Sequence, residues 1–330
     1  MKIYLAIMFS VLVATCKKEK ATVSNAVAFD TTVHCSESPD SLHSFPPFMG
    51  GIPENYFPSD DKSMNDTLWK YPCFNPNNGD EIAYIEKIVD GGTSIIKYNW
   101  KTCEKQIIQQ NIVTSCQPIW CMNNWCYYEG AGRNLVRIKM DTAESDTLTN
   151  QHSDGMLMPN IVTSEFVFSR GTSPNIAILK SSPDGQEIGP FITNTYGDWR
   201  PGILAGRKER SVISYTPDDI ANVTALKDFG SQHVILNVKV HPNNKDIYFT
   251  FWYVDGLYKI NIETHELTLV KEGGNNCWYD GFSISQDGRS IVFEKVICDF
   301  GWGTGRNAVF SKREIWMMDI DGCNERRLNL

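Results

Sequence analysis

From residue 72 onward, short apolar stretches alternate with polar turns in a recurring order. Phe74–Tyr84, Val240–Phe249 and Ile284–Phe293 each pass from apolar residues through a Pro, Asn, Asp or Gly cluster into a second apolar stretch that ends on an aromatic ring. Alternation around such turns predicts β-hairpins, because successive strand side chains face opposite ways and Asn, Asp and Gly accept the turn backbone. Weaker copies lie at Trp120–Tyr128, Ile161–Phe168 and Ile203–Tyr215. The closing aromatics Tyr84, Tyr128, Phe168, Tyr215, Phe249 and Phe293 recur at intervals of roughly 34 to 47 residues, close to the period of a four-stranded propeller blade.

A second hairpin follows most of these, at Ile95–Ile108, Leu135–Leu148, Ile176–Phe191, Leu257–Val270 and Ile315–Leu328; Ile220–Leu226 in the fourth repeat is a poor copy. Two hairpins make a four-stranded sheet with two apolar faces, which only neighbouring sheets can cover. Six such sheets stacked in a ring bury those faces and leave few free edges. The expected architecture is therefore all-β: a six-bladed β-propeller of four-stranded antiparallel blades over residues 71–330. Solenoid repeats are usually shorter or helical, and a β-sandwich predicts no such interval. Whether residues 66–70 close the ring by joining the last blade stays open.

Residues before 71 follow a different pattern. Lys2 precedes a nearly unbroken apolar run, Ile3–Ala14, that ends at Cys16 and a cluster of lysines. The run is shorter than the roughly 20 residues that span a bilayer, and it fits a signal-peptide core. Residues 13–16 resemble a lipobox, in which Ala14 and Cys16 match and Val13 and Thr15 stand in place of commoner residues; the resemblance implies removal of residues 1–15 and lipidation of Cys16. Several acyl chains would hold the protein on a membrane. Residues 16–70, rich in Ser, Pro, Gly and Asp, read as a lipidated tether and irregular segment. The expected location is the bacterial cell envelope, with outer-membrane anchoring and either a periplasmic or a surface orientation.

Composition narrows the partners. The formal net charge is −8 and the basic residues are scattered, which argues against nucleic acid as a ligand. Ten cysteines suit an oxidising compartment. Cys121 and Cys126 flank a tight turn and could pair across a hairpin; equally, several cysteines could be small buried apolar residues. The six histidines, His34, His43, His152, His233, His241 and His265, fall singly without metal-ligand spacing, and His241 reads as a turn residue by comparison with Asn75.

No catalytic constellation stands out, and no cofactor or metal is expected. Around Ser283 the Gly-x-Ser-x-Gly spacing of a nucleophile elbow fails at its last position. Gly301–Arg306 reads as a loop within an insertion between Phe293 and Glu314. What remains is position: residues just before the first strand of each blade form the default ligand-facing set. These include Gln117 and His233, and above all Asp198-Trp199-Arg200 and Trp278-Tyr279-Asp280, where aromatics stand beside charges as in recognition hot spots. Interblade packing of the same rings is the competing reading.

Asp287-Gly288 before the strand Ile291–Phe293, then Glu314-Ile315-Trp316, Asp321-Gly322 and Arg326-Arg327-Leu328, resemble the repeat of TolB-type propellers. The resemblance covers residues 72–330 and implies a six-bladed ring in the bacterial envelope. It implies no single activity, because such rings serve both as interaction platforms and as enzyme scaffolds. The expectation is a non-catalytic platform for another envelope protein or peptide. The alternatives are a hydrolase or lyase acting on a glycan or peptide through acids such as Asp198 and Asp280, or a carbohydrate-binding module.

Overall fold

A computed structural model describes residues 67–88, 91–114, 117–149, 154–171, 177–191, 196–208, 210–215, 223–230, 235–251, 256–272, 277–300 and 309–330. These form six four-stranded antiparallel sheets, each of four consecutive strands, arranged as the blades of a β-propeller. The innermost strands of blades 1 to 6 are Thr67–Asn75, Ile119–Trp120, Asp154–Pro159, Tyr196–Arg200, Ile235–Val240 and Cys277–Ile284. Blade 1 begins at Thr67, inside the stretch read as tether, and Thr67–Lys70 pair with Ile85–Ile88 of the same blade. No described strand from outside blade 6 enters its sheet.

Each junction between neighbouring blades has its own apolar core, six in all, including the one that joins blade 6 to blade 1. The repeating aromatics explain this regularity. Tyr84, Tyr128, Phe168, Phe249 and Phe293 lie on the second strands of their blades, and each packs into the junction with the preceding blade. Strand alternation sends residues at equivalent positions to the same face, so a repeated ring becomes a repeated wedge.

Blade 4 departs from the series. Tyr215 lies on the third strand, Ser211–Tyr215, paired with Leu204, and the second strand, Ile203–Lys208, carries no aromatic. The hairpin read at Ile203–Tyr215 is thus the second-to-third hairpin of its blade, one strand out of step with the other five. Trp199 supplies the missing bulk: it fills the junction of blades 3 and 4 with Met158, Val167, Leu204 and Ile213, and its ring centroid lies 5.6 Å from that of Phe191.

Two further sequence expectations change. The stretch from Phe293 to Glu314 is a long hairpin arm whose ladder runs out to Phe300 opposite Val309, with Gly301–Arg306 outside the described residues. Cys121 and Cys126 do not pair, since Cys126 stands opposite Trp120 and both thiols are free. Alternation sends Cys121 into the core between blades 2 and 3, and Cys126 into the one between blades 1 and 2. Cys323 is disulfide-bonded.

Candidate functional site in the channel

The innermost strands converge on a narrow channel holding a cavity of about 20 Å³, lined by residues from all six blades, among them Cys73, Gln117, Asp198, Arg200, Lys239 and Gln286. Asp198 and Arg200 lie within the innermost strand of blade 4, not ahead of it, and both are buried. The Asp198 carboxylate accepts the backbone N–H of Val240 in blade 5 at 2.9 Å and stands 3.7 Å from Arg200 Nε. Arg200 Nη1 donates to Gln286 Oε1 in blade 6 at 2.9 Å. Burial pulls the Arg200 pKa down against the opposing pull of Asp198.

A second side chain crosses on the other side. Gln117 Nε2, from the segment leading into blade 2, donates to the Pro72 carbonyl of blade 1 at 2.8 Å and to the Phe282 carbonyl of blade 6 at 3.2 Å. Ser283 lies on the innermost strand of blade 6, where its Oγ accepts the Phe74 N–H at 3.3 Å. Its hydroxyl joins blades 6 and 1.

Of the remaining candidates, Tyr279 is buried in the junction of blades 5 and 6, where its ring meets Phe293 edge-on at 5.0 Å and its hydroxyl donates to the Glu272 carbonyl at 3.0 Å. Trp199 and Tyr279 are both buried in junctions between blades, the arrangement that the interblade-packing reading of these rings expects. Asp280 accepts from Arg313 Nη1 at 3.1 Å and from the Gly281 N–H at 2.9 Å. His233 and the side chain of Trp278 lie outside the described residues. His241 is a turn residue: its Nδ1 accepts the Asn243 N–H at 3.1 Å, as Asn75 Oδ1 accepts that of Asn77 at 2.9 Å.

Several groups here escaped sequence reasoning. Arg313 bonds to the fully buried Glu294, whose other oxygen accepts the Tyr71 N–H of blade 1 at 3.1 Å. Burial pushes the Glu294 carboxyl up, against the downward pull of Arg313. Lys239 and Glu294 share one signal, a charge beside apolar residues of a strand, whereas Arg313 stands in a charged run, Lys312-Arg313-Glu314, and gives no such signal; which partner each charge meets is decided only by the ring. Among the described residues no group of three or more His, Cys, Asp or Glu is placed to hold a metal.

No family model matches the chain, and the comparison with curated proteins finds no match. Solved structures do match in fold. A protein assigned as TolB from Agrobacterium tumefaciens superposes with a TM-score of 0.56 at 16% identity, covering 72% of this chain and 88% of that one. An oligogalacturonate lyase from Vibrio parahaemolyticus gives 0.50 at 13% identity, covering 80% and 79%. TolB from Acinetobacter baumannii gives 0.49 at 12% identity, covering 79% and 63%. At such identities the likeness is one of fold, and the fold of this chain is a TolB-like six-bladed β-propeller.

Proposed function

We propose that this protein is a lipid-anchored envelope protein whose propeller binds another envelope protein or peptide on a channel face, without catalysis. The observation that supports this most is the employment of the channel's charged groups. Asp198 and Arg200 are buried and committed to bonds that tie blade 4 to blades 5 and 6, and Asp280 is held by Arg313. An acid acting in turnover must be able to reach substrate and exchange its proton. A carboxylate fixed as a joint between blades, as Asp198 is, and one held within its own blade, as Asp280 is, suit a rigid frame that presents its faces to a partner. On this reading His233 and Trp278, which flank or open innermost strands, contact the partner, while Asp198, Trp199, Arg200, Tyr279 and Asp280 hold the frame that positions them.

The test is capture from native envelope membranes with the full-length protein, followed by identification of the bound species and calorimetry of the purified pair. The expected result is a saturable complex weakened by Trp278→Ala or His233→Ala at unchanged melting temperature. Turnover of an oligosaccharide or peptide with no stable complex would overturn the reading in favour of a hydrolase or lyase.

A further inference from the structure

Cys323 is disulfide-bonded, and its partner lies elsewhere in the same chain. It sits half-buried in the turn between the third strand of blade 6, Val309–Asp319, and the fourth, Arg326–Arg327. The Asp319 N–H donates to the Cys323 carbonyl at 2.9 Å and the Cys323 N–H to Asp321 Oδ1 at 3.0 Å, which fixes the turn at one end of the blade. Of the other cysteines, Cys73, Cys103, Cys121 and Cys126 are free. Cys16, Cys35, Cys116, Cys277 and Cys298 remain.

The register of blade 6 eliminates two of these. Cys277 stands opposite Ile297 and Cys298 opposite Ser311, whereas Asp319, beside the Cys323 turn, stands opposite Ser290. Seven or eight residues of strand, about 24–27 Å, separate both cysteines from that turn, and a disulfide needs Cα atoms within about 7 Å. Cys116 adjoins Gln117, whose amide lies in the channel between carbonyls of blades 1 and 6. From Phe282, its contact in blade 6, the turn is about 10 Å away across the sheet and about 10 Å along it. In the lipid-anchored protein the Cys16 sulfur carries the lipid, which leaves Cys35.

We propose that Cys35 and Cys323 form a disulfide that clasps the propeller ring shut, a proposal that rests on the envelope reading above. Blade 1 takes its four strands from residues 67–109 and blade 6 from residues 277–327, so among the described residues the first and last blades exchange no strand. Their junction is held by apolar contacts among residues such as Phe74, Tyr84, Val292 and Ile315, and by the hydrogen bonds that join Phe74 to Ser283 and Tyr71 to Glu294. A bond from Cys35, ahead of blade 1, to Cys323 at the rim of blade 6 encloses the whole ring in one covalent loop. The chain has the reach. A flexible segment of the 32 residues from Cys35 to Thr67 spans about 31 Å on average, and a blade is about 14 Å wide from first strand to fourth.

The oxidant is the disulfide of an exported thiol–disulfide oxidoreductase. The Cys323 thiolate attacks one donor sulfur, a mixed disulfide forms, and the second donor sulfur leaves as a thiolate. The Cys35 thiolate then attacks the Cys323 sulfur, the Cys35–Cys323 bond forms, and the first donor sulfur leaves. Two thiols lose two electrons and two protons, and the donor disulfide becomes a dithiol.

The experiment recovers the full-length protein from native envelope membranes without reductant, alkylates it after denaturation and maps the peptides. The expected result is a Cys35–Cys323 cross-linked peptide, with Cys73, Cys103, Cys121 and Cys126 alkylated. Cys35→Ser, Cys323→Ser and the double variant should each melt about 5–10 °C below the wild type, with no added loss in the double variant. Alkylated Cys35 and Cys323 in the envelope protein would overturn the clasp alone, and so would an unchanged melting temperature in the variants. A Cys16–Cys323 cross-link would overturn both the clasp and the lipid anchor, whereas a Cys35–Cys323 cross-link with unlipidated Cys16 would sustain the clasp and sink the anchor. Recovery from the cytosol with both thiols free would overturn the envelope reading and the clasp together. The wild-type map decides the pairing even if a variant fails to fold.

Discussion

Arg200 of blade 4 reaches past blade 5 to bond Gln286 of blade 6, Nη1 to Oε1 at 2.9 Å, so one buried side chain braces blades that are not neighbours. The same guanidinium lies beside Asp198, which itself holds blade 5 through the Val240 N–H. Removing the cation therefore does more than break one bond.

Arg200→Met should destabilise the fold by about 3 kcal/mol or more, since it strands the buried Asp198 carboxylate without its counter-charge. Gln286→Ala removes a single hydrogen bond to a charged group, and should lose only about 1.5–3 kcal/mol. Denaturant titration of both variants checks the order; a larger loss for Gln286→Ala would contradict the bracing role.

Trp199→Ala should be among the most damaging substitutions in blade 4. Its ring is the large wedge of the junction between blades 3 and 4, and truncating a buried Trp leaves a cavity worth about 3–5 kcal/mol. Trp199→Phe should retain most of that stability. If Trp199→Ala melted like the wild type yet lost partner capture, the ring would be a contact residue and not a wedge.

Alkaline pH should unfold the protein through its buried tyrosines. Burial, the largest cause in each case, raises the pKa of Tyr84, Tyr128 and Tyr248, with Tyr128 pushed up to about 12. An unfolded tyrosine ionises near pH 10. Between that value and the raised folded one the unfolded chain releases the proton first, so the contribution is intact below about pH 10 and is lost as pH climbs through the window. Tyr128→Phe forfeits the hydrogen bond to Gln109 Oε1 at 3.0 Å and should lower stability at pH 8, but flatten the fall between pH 10 and 12. Parallel curves for the two proteins would refute this assignment.

Cys16→Ser should abolish labelling with radioactive palmitate and move the protein from the membrane to the soluble envelope fraction. Among the described residues no helix is long and apolar enough to cross a membrane; the proposed anchor is the lipid on Cys16. Unchanged membrane retention of the variant would refute lipid anchoring.

The sequence by itself determined the architecture, because each blade is a local object. A hairpin is written in a dozen neighbouring residues, and a ring that repeats the same wedge aromatic at one position per blade announces its period in Tyr84, Tyr128, Phe168, Phe249 and Phe293. The series failed at Tyr215 for a physical reason: in blade 4 the bulk moved to Trp199 on the innermost strand, and a pattern search tied to the second strand took the next ring it met. What only the tertiary structure decided is the channel and everything placed there. Trp199 and Tyr279 look like contact residues until the neighbouring blade buries them. Arg200 and Gln286, and Glu294 and Tyr71, are brought together by the ring and not by spacing along the chain. Alternation along a strand states which residues share a face, whereas the partner that face meets belongs to another blade.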